Sequence, residues 1–342
     1  MSRLVERATQ LPDLWEKSMF LRALTRCCVQ RLLSRTAFTK THQVHRMIAR
    51  LIVRTLLVNR HDDGSAGDAN YGRIGQGYTA YRKPDPAIAS FIEKAFGDVD
   101  TVLNVGAGAG SYEPLHRHVT AVEPSASMRE QRAAHLSKAI DARAEALPFE
   151  SDFFDASMAT FSVHQWSDLE GGLAEMRRVT KGPVLILTCD PAVLRDTWLF
   201  EYAPEMIDVE VRRYPSVDRI SSALGSNVSV LPVPIPLNCT DGFSEAYYGR
   251  PECLLDPGAR RANSAWSFVD AAAEARFAHK LDADLKAGVW DRKHGALRNL
   301  PFFEGSLRLV VGRVQDDRFP AGQRQRFRVP NASLRSAQDD SF

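Results

Sequence analysis

The stretch DTVLNVGAGAGSYEPLHRHVTAVEP, residues 100–124, decides the expected fold of this chain. A short apolar run, residues 101–105, leads into three alternating glycines, and a second apolar run ends on Glu123. This order predicts a strand, a glycine turn, a short helix and a second strand that is closed by an acid. In doubly wound sheets such glycines let a ligand approach the backbone, and the acid can accept both hydroxyls of a ribose. We therefore expect a ribose-bearing cofactor.

The spacing of the glycines selects among such cofactors. A dinucleotide fingerprint needs a glycine where Ser111 stands, so that pattern fails. The G-x-G-x-G pattern from Gly106 to Gly110 instead resembles the first motif of the class I S-adenosylmethionine-dependent methyltransferases, with Glu123 in the place of their ribose-binding acid. A glycine-rich loop that merely turns the chain is the plainer alternative for the glycines alone.

Two later segments add to this resemblance. Residues 144–149, AEALPF, resemble the methyltransferase loop that flanks the adenine, but Arg143 stands where many relatives carry an acid for the adenine amino group. The contacts that the resemblance then leaves are the backbone and Glu145. The segment SVHQW follows the apolar run 154–161, and carboxyl ends of parallel strands are where ligands bind in such sheets. His164 is thus expected near the transferring methyl group.

The resemblance implies a set of site residues. The predicted cofactor-binding residues are Asn104, Gly106, Ala107, Gly108, Gly110, Glu123, Pro124, Ala144, Glu145, Thr160 and Phe161. The predicted substrate residues are Tyr78, Arg82, His164, Trp166, Tyr247, Tyr248 and Arg250. His164 is the candidate catalytic residue, as a general base or as an orienter of the substrate, and packing is its structural alternative. For the tyrosines and arginines, packing within the body or between an inserted cover and the body is the alternative.

The expected fold class is α/β, with a doubly wound, Rossmann-like, seven-stranded sheet that is mostly parallel and has an antiparallel last strand. Helical and aromatic segments at 191–227 and 238–305 interrupt the late strands, and they predict a mainly helical lid. The predicted organisation is a basic, partly helical extension and linker (1–70), a cofactor-binding core (71–190), a lid with strands six and seven (191–316), and a disordered tail (317–342).

Composition limits the remaining possibilities. The chain has 342 residues, 44% apolar and 25% charged, which is ordinary for a globular enzyme. No apolar run approaches the ~20 residues that span a bilayer. The five cysteines include no CxxC pair, and no histidine stands at metal-ligand spacing, so we expect a reduced, cytoplasmic protein without a structural metal.

The positive charge of the chain lies near its start. Residues 1–60 hold twelve lysines and arginines against three acids, whereas the whole chain has a net charge of only +2. A basic amphipathic segment can bind a membrane or nucleic acid, or it can dock on the body or on another subunit of a homo-oligomer. Because no motif accompanies the charge, we expect no nucleic-acid partner, and the acids disfavour a mitochondrial presequence.

These observations predict a methyltransferase that takes S-adenosylmethionine and a small-molecule acceptor with an oxygen, nitrogen or carbon nucleophile, by in-line displacement. No Asn-Pro-Pro-Tyr-like cluster follows the fourth predicted strand, which argues against base amines of nucleic acids as acceptors. Two alternatives remain: a cofactor-binding partner subunit without turnover, and a methyltransferase that acts on RNA or at a membrane through its basic extension.

Overall fold

A computed structural model describes residue 67, residues 69–74 and residues 77–313. The strands are Thr101–Val105 (β1), His118–Val122 (β2), Ala156–Thr160 (β3), Val184–Cys189 (β4), Val228–Pro232 (β5), Ile235–Pro236 (β6), Phe302–Phe303 (β7) and Leu307–Gly312 (β8). The predictions for the basic extension before residue 67 and for the tail after residue 313 lie outside the described residues.

Helices separate most of these strands. The α-helices are Tyr71–Ile74 (α1), Tyr78–Tyr81 (α2), Pro86–Phe96 (α3), Ala126–Glu130 (α4), Leu169–Val179 (α5), Trp198–Tyr202 (α6), Pro204–Arg213 (α7), Val217–Leu224 (α8), Pro257–Arg261 (α9), Ala271–Lys286 (α10) and Val289–His294 (α11). Short 3₁₀-helices are Val163–Gln165, Leu194–Asp196, Ser244–Tyr247, Pro251–Leu255, Ser264–Phe268 and Gly295–Asn299.

The central sheet has the order β2-β1-β3-β4-β8-β5. Strands β1 to β4 are mutually parallel, whereas β8 runs antiparallel to both of its neighbours, β4 and β5. This arrangement confirms the predicted doubly wound, mostly parallel sheet with a late antiparallel strand. The proline-punctuated run VSVLPVPIP does not stay in one strand, because the chain leaves the sheet after Pro232 and continues as β6, which pairs with β7.

Six strands of the described residues form this sheet, one fewer than the seven expected. The missing strand is the one between α4 and β3, which is reduced to a single bridge between Val122 and Ile140. Ile140 exchanges hydrogen bonds with Ala121 and Glu123, each of 2.9 Å. The segment offers only this one β-branched residue before Asp141, so the pairing does not extend further.

Side-chain caps set where two of the helices begin. Asp85 accepts from Ala87 N at 2.9 Å and so caps α3, whose first residue is Pro86. Ser125 Oγ accepts from Met128 N at 3.3 Å and so caps α4, which ends at Glu130.

Apolar side chains cover both faces of the sheet, as a parallel sheet requires. Helix α3 contributes Ile88, Ile92 and Phe96 to the cluster on one face. Helices α5 and α8 cover the other face, where Leu173 and Met176 are fully buried. A third apolar cluster lies in the late helical segments, around Trp198, Phe277 and Trp290. Because the sheet is covered on both faces, ligands can reach it only at the ends of its strands.

Candidate active site

The glycine turn follows β1 directly. Gly106 and Gly108 have φ angles of 67° and 52°, a region that favours glycine. A Cβ atom at Gly106 would lie 2.7 Å from Cβ of Ser162, so the turn has no room for a side chain there. Ala107 N donates to Val122 O at 3.0 Å and holds the turn against the end of β2. The backbone of this turn therefore forms an open wall at the carboxyl end of the sheet.

Glu123 closes β2 and lies beside this turn. Its Oε2 accepts from Gly108 N and its Oε1 from Ser125 N, each at 2.8 Å. Burial raises the pKa of Glu123. The hydrogen bonds from the two N–H groups favour the charged carboxylate and reduce this rise. Each carboxylate oxygen keeps acceptor capacity after these bonds, so Glu123 can still accept from a pair of hydroxyls.

A first cavity of about 820 Å³ lies over the turn and Glu123. Nine of the predicted cofactor residues line it: Gly106, Ala107, Gly108, Glu123, Pro124, Ala144, Glu145, Thr160 and Phe161. The turn without a side chain and the acid with free acceptor capacity fit the ribose and nucleoside of S-adenosylmethionine.

Two other predicted cofactor residues, Asn104 and Gly110, are not among the residues that line this cavity. Asn104 is fully buried, and its Nδ2 donates to Glu113 Oε1 at 3.0 Å. Gly110 packs against Leu136, whose Cδ1 atom would lie 2.3 Å from a Cβ at this position. Both residues support the glycine turn from behind, and a direct contact with the cofactor stays a prediction.

In the part of the first cavity where the adenine is predicted to bind, Arg143 and Glu145 already form hydrogen bonds within the protein. Arg143 donates to Ser167 Oγ at 2.7 Å, and its Nε lies 3.5 Å from Glu145 Oε2. Glu145 Oε1 accepts from the backbone N–H groups of Ser167 and Asp168, at 2.9 and 3.2 Å. Because Glu145 already accepts hydrogen bonds from the protein, the backbone at Ala144 is the more accessible partner for the adenine base. Trp166, a predicted pocket wall, lines the same cavity.

A second cavity of about 570 Å³ adjoins the first. The two cavities share Tyr71, Tyr78, Arg82 and Phe161. Phe161 adopts a φ of 50° directly after β3, a strained conformation of the kind that collects at functional sites. The predicted substrate residues Tyr78, Arg82 and His164 all line the second cavity, so the fold brings them together at the carboxyl end of the sheet.

Arg82 is fixed by a buried acid. Its guanidinium forms a salt bridge with Asp241, and these side chains are 9% and 3% exposed. Tyr112 Oη donates to the same carboxylate at 2.9 Å. The Arg82 guanidinium also lies 5.4 Å from the ring centre of Tyr78 and 5.2 Å from that of Phe161. The wall between the two cavities is thus a cation held between an acid and two aromatic rings.

His164 remains neutral in this environment. Burial, together with the nearby charges of Arg213 and Arg82, lowers the pKa of His164 well below its usual range. Its ring centre lies 4.4 Å from that of Tyr214. A neutral imidazole can orient a substrate by hydrogen bonding, but its low pKa makes it a weak acceptor of a proton. The catalytic role of His164 stays a prediction.

Sequence reasoning missed two carboxylates in the second cavity. Glu245 is 8% exposed, and both of its oxygens accept from Ser306 N, at 3.0 and 2.9 Å. Glu210, on α7, lies beside it, and burial together with the charge of Glu245 raises the pKa of Glu210 to about 7. Neither acid stands in a motif, so only the helical periodicity of α7 could have indicated that Glu210 faces inward.

The predicted substrate residues Tyr247, Tyr248 and Arg250 do not line either cavity. Tyr248 Oη donates to Leu300 O at 2.6 Å, and Arg250 donates to Cys239 O at 2.8 Å. Tyr248 does line a third cavity of about 1280 Å³, which shares Glu210 and Glu245 with the second. Tyr248 and Arg250 thus connect late segments to one another, and a contact of Tyr247, Tyr248 or Arg250 with the substrate stays a prediction.

Comparison with known proteins supports the same class as this geometry. A doubly wound sheet with a glycine turn after β1 and an acid after β2 defines the Rossmann-like class that binds a nucleoside at the carboxyl ends of its strands. Residues 103–187 match the family model described as a methyltransferase domain. Residues 103–187 therefore match a class I S-adenosylmethionine-dependent methyltransferase domain, a class of enzyme domain whose cofactor is S-adenosylmethionine.

Individual relatives agree with this assignment. Over 165 residues the chain is 31% identical to the malonyl-[acyl-carrier protein] O-methyltransferase of Erwinia billingiae (strain Eb661), a match that covers 45% of this chain and 64% of that relative. The chain thus spans less than two thirds of the length of that curated protein. A solved structure described as a methyltransferase from an antibiotic biosynthesis pathway of Anabaena variabilis ATCC 29413 is 26% identical. It has a TM-score of 0.64, and the match covers 68% of this chain and 99% of that one.

Within residues 67, 69–74 and 77–313, no helix is long and apolar enough to cross a membrane. The same residues contain no group of three or more histidine, cysteine, aspartate or glutamate side chains that could hold a metal ion.

Proposed function

We propose that this protein transfers the methyl group of S-adenosylmethionine to a nucleophilic oxygen, nitrogen or carbon of a small-molecule acceptor. The acceptor binds in the second cavity and the cofactor in the first. The observation that carries this proposal is the shared wall, because Tyr71, Tyr78, Arg82 and Phe161 line both cavities. Two ligands bound in these cavities would meet at that wall.

In this proposal the residues of the first cavity hold the cofactor. Glu123 accepts the ribose hydroxyls, and the side-chain-free backbone at Gly106 and Gly108 lets the nucleoside approach closely. The backbone at Ala144 contacts the base. S-adenosylmethionine supplies a methyl group that is activated by the positive charge of its sulfur.

The residues of the second cavity position the acceptor. The aromatic side chains of Tyr78 and Phe161 keep water from the meeting point, and Arg82 is held by Asp241 so that this wall does not move. Alignment of the acceptor with the methyl group then supplies most of the acceleration, since well-oriented reactants gain several kcal/mol, on the order of 7 or more, from proximity. His164, neutral and enclosed, orients the acceptor through a ring nitrogen.

Calorimetric titration tests the cofactor half of this proposal. S-adenosylmethionine and S-adenosylhomocysteine are titrated into the wild type, into Glu123→Ala and into Glu150→Ala, an exposed acid that serves as the control, with NAD as the control ligand. We expect Glu123→Ala to weaken both sulfur ligands by roughly 10- to 100-fold, because it removes the hydrogen bonds of one buried carboxylate. Equal affinities in all three proteins would contradict the assignment of Glu123.

Turnover tests the other half. The wild type is incubated with S-adenosylmethionine and pooled small metabolites, and methylated products are detected by mass spectrometry. Formation of S-adenosylhomocysteine together with a product that is heavier by one methylene is the expected result. Tight cofactor binding without turnover on any pool would instead support the partner-subunit alternative.

A further inference from the structure

Glu210 is the acid in the second cavity that the protein holds least firmly. Its hydrogen bond among the described residues is to Ser244 Oγ, at 3.4 Å, whereas neighbouring Glu245 is held by the backbone and hydroxyl of Ser306. Glu245 is therefore committed to the structure. Glu210 projects from α7 into the cavity wall with most of its acceptor capacity available.

The charges around Glu210 do not balance. Arg82 is paired with Asp241, and Arg308 has its Nε 3.9 Å from Asp190 Oδ2. Arg213, one turn along the same helix, is the other arginine that lines the cavity. Among the described residues that line the cavity, these two arginines face the carboxylates of Glu210 and Glu245.

The other titratable groups of the cavity do not supply the missing charge. His164 is neutral, and burial raises the pKa values of the Cys189 thiol and the Tyr71, Tyr78 and Tyr214 hydroxyls, which stay protonated. Arg82 is already paired with Asp241, so an ionised Glu210 and Glu245 place two negative charges beside Arg213 within the described lining of the cavity, and a buried charge that is not balanced is costly. A ligand that carries one positive charge would supply the missing charge.

The remaining wall of the cavity is aromatic. Tyr71, Tyr78, Phe161, Tyr214 and Phe243 line it. Aromatic faces attract an organic ammonium ion, and the attraction is larger when the ion is removed from water. A carboxylate among aromatic rings is therefore a site that suits an amine better than a neutral alcohol or a carboxylate.

We propose that the methyl acceptor is an amine, that its ammonium group binds against Glu210, and that Glu210 takes its proton. This inference rests on the proposed function, because it gives a chemical class to the acceptor of that same site. The proton moves from nitrogen to the Glu210 carboxylate and frees the nitrogen lone pair. That pair forms the new carbon–nitrogen bond, while the carbon–sulfur bond breaks and its electrons remain on sulfur. The product is an N-methylammonium ion and S-adenosylhomocysteine.

Titration of small probes tests this inference. The intact protein is first saturated with S-adenosylhomocysteine and then titrated with benzylamine, benzyl alcohol or benzoate, three probes of similar shape and different charge. We expect benzylamine to bind at least 10-fold more tightly than the other two at pH 8. Its affinity should fall roughly 10-fold or more between pH 8 and pH 5.5, as Glu210 becomes protonated.

Three variants isolate the role of Glu210. Glu210→Gln should abolish both the preference for benzylamine and its pH dependence. Glu205→Gln makes the same change on the exposed side of the same helix, where Glu205 pairs with Arg276, and it should change neither. Arg213→Gln should act in the opposite direction and strengthen benzylamine binding, because it removes a cation from the cavity.

The outcomes separate the inference from the proposed function. Failure of S-adenosylhomocysteine to bind would overturn the proposed function itself. Normal binding of S-adenosylhomocysteine, with benzyl alcohol or benzoate bound as tightly as benzylamine, would overturn only the amine inference. So would an unchanged preference in Glu210→Gln. Should that variant fail to fold, an unchanged or weaker benzylamine affinity in Arg213→Gln would overturn the inference on its own.

Discussion

The protonation of His164 makes the stability of the protein depend on pH. The imidazole is neutral in the folded state because burial and two arginines lower its pKa. The unfolded chain binds a proton at His164 below a pH of about 6.5, and the folded chain does not. Protonation of His164 in the unfolded chain therefore lowers the free energy of unfolding as the pH falls below that value, and it has no such effect above it.

This linkage predicts the behaviour of a His164→Gln variant. In urea unfolding, the free energy of unfolding of the wild type should fall relative to the variant by about 1.4 kcal/mol per pH unit below pH 6.5. The same exchange at His118, an exposed residue of β2, is the matched control for the substitution itself. Parallel curves for wild type and His164→Gln would show that the imidazole is not held neutral.

Among single residues, the sequence predicted those whose roles depend on neighbours close to them in the chain. The glycine turn and Glu123 are separated by a short segment, and their spacing alone indicates a ribose site. Arg82 and Asp241 lie 159 residues apart, and no pattern in either segment indicates their salt bridge. Glu210 was missed for the same reason, because only the folded chain places α7 over the end of the sheet.

Among the elements, the glycine turn after β1 is the most sensitive to substitution. Gly106 and Gly97 have similar φ angles, 67° and 72°, but they differ in surroundings. A Cβ at Gly106 would meet Ser162 at 2.7 Å, whereas a Cβ at Gly97 would meet nothing within 4 Å. The two positions thus separate backbone strain from a steric clash.

We expect Gly97→Ala and Gly106→Ala each to lose on the order of 1–3 kcal/mol of stability, because a side chain is strained at the positive φ of both positions. Only Gly106→Ala should also displace the turn and weaken S-adenosylhomocysteine by at least roughly 10-fold, since a short misplacement in a site is costly. Thermal unfolding and calorimetry on both variants measure the two effects. Equal loss of affinity in both would show that strain, not the clash with Ser162, disturbs the site.

The elements themselves followed from the sequence where their patterns were strong. The apolar run of β4 is fully buried, and α3 and α5 each bury one apolar face. The expected seventh strand did not form, because weak local preferences around Ile140 leave only a single bridge there. The result is a sheet of six strands in the described residues.

At the scale of the whole molecule, the described residues that line the two cavities lie between Tyr71 and Ser306. Removal of residues 1–58 should therefore leave the affinity for S-adenosylhomocysteine within about twofold of the full chain. Calorimetry on the two proteins measures this, and a large loss of affinity would mean that the basic extension takes part in the site.

The same pair of proteins tests the alternative of an RNA or membrane substrate. We expect neither protein to bind RNA or vesicles of anionic lipid in a salt-sensitive manner, since only composition points to such a partner. Salt-sensitive binding that is present in the full chain and absent after the deletion would support that alternative instead.

Strand β8 is synthesised last among the described strands, yet it lies inside the sheet, between β4 and β5. Five of its six residues are buried. While the ribosome makes the protein, the edge of β4 must wait for a strand that begins more than a hundred residues later, and an unpaired strand edge invites aggregation. Nascent chains stalled before Leu307 should therefore depend on chaperones, and the candidate site should form only after β8 has left the ribosome and completed the sheet.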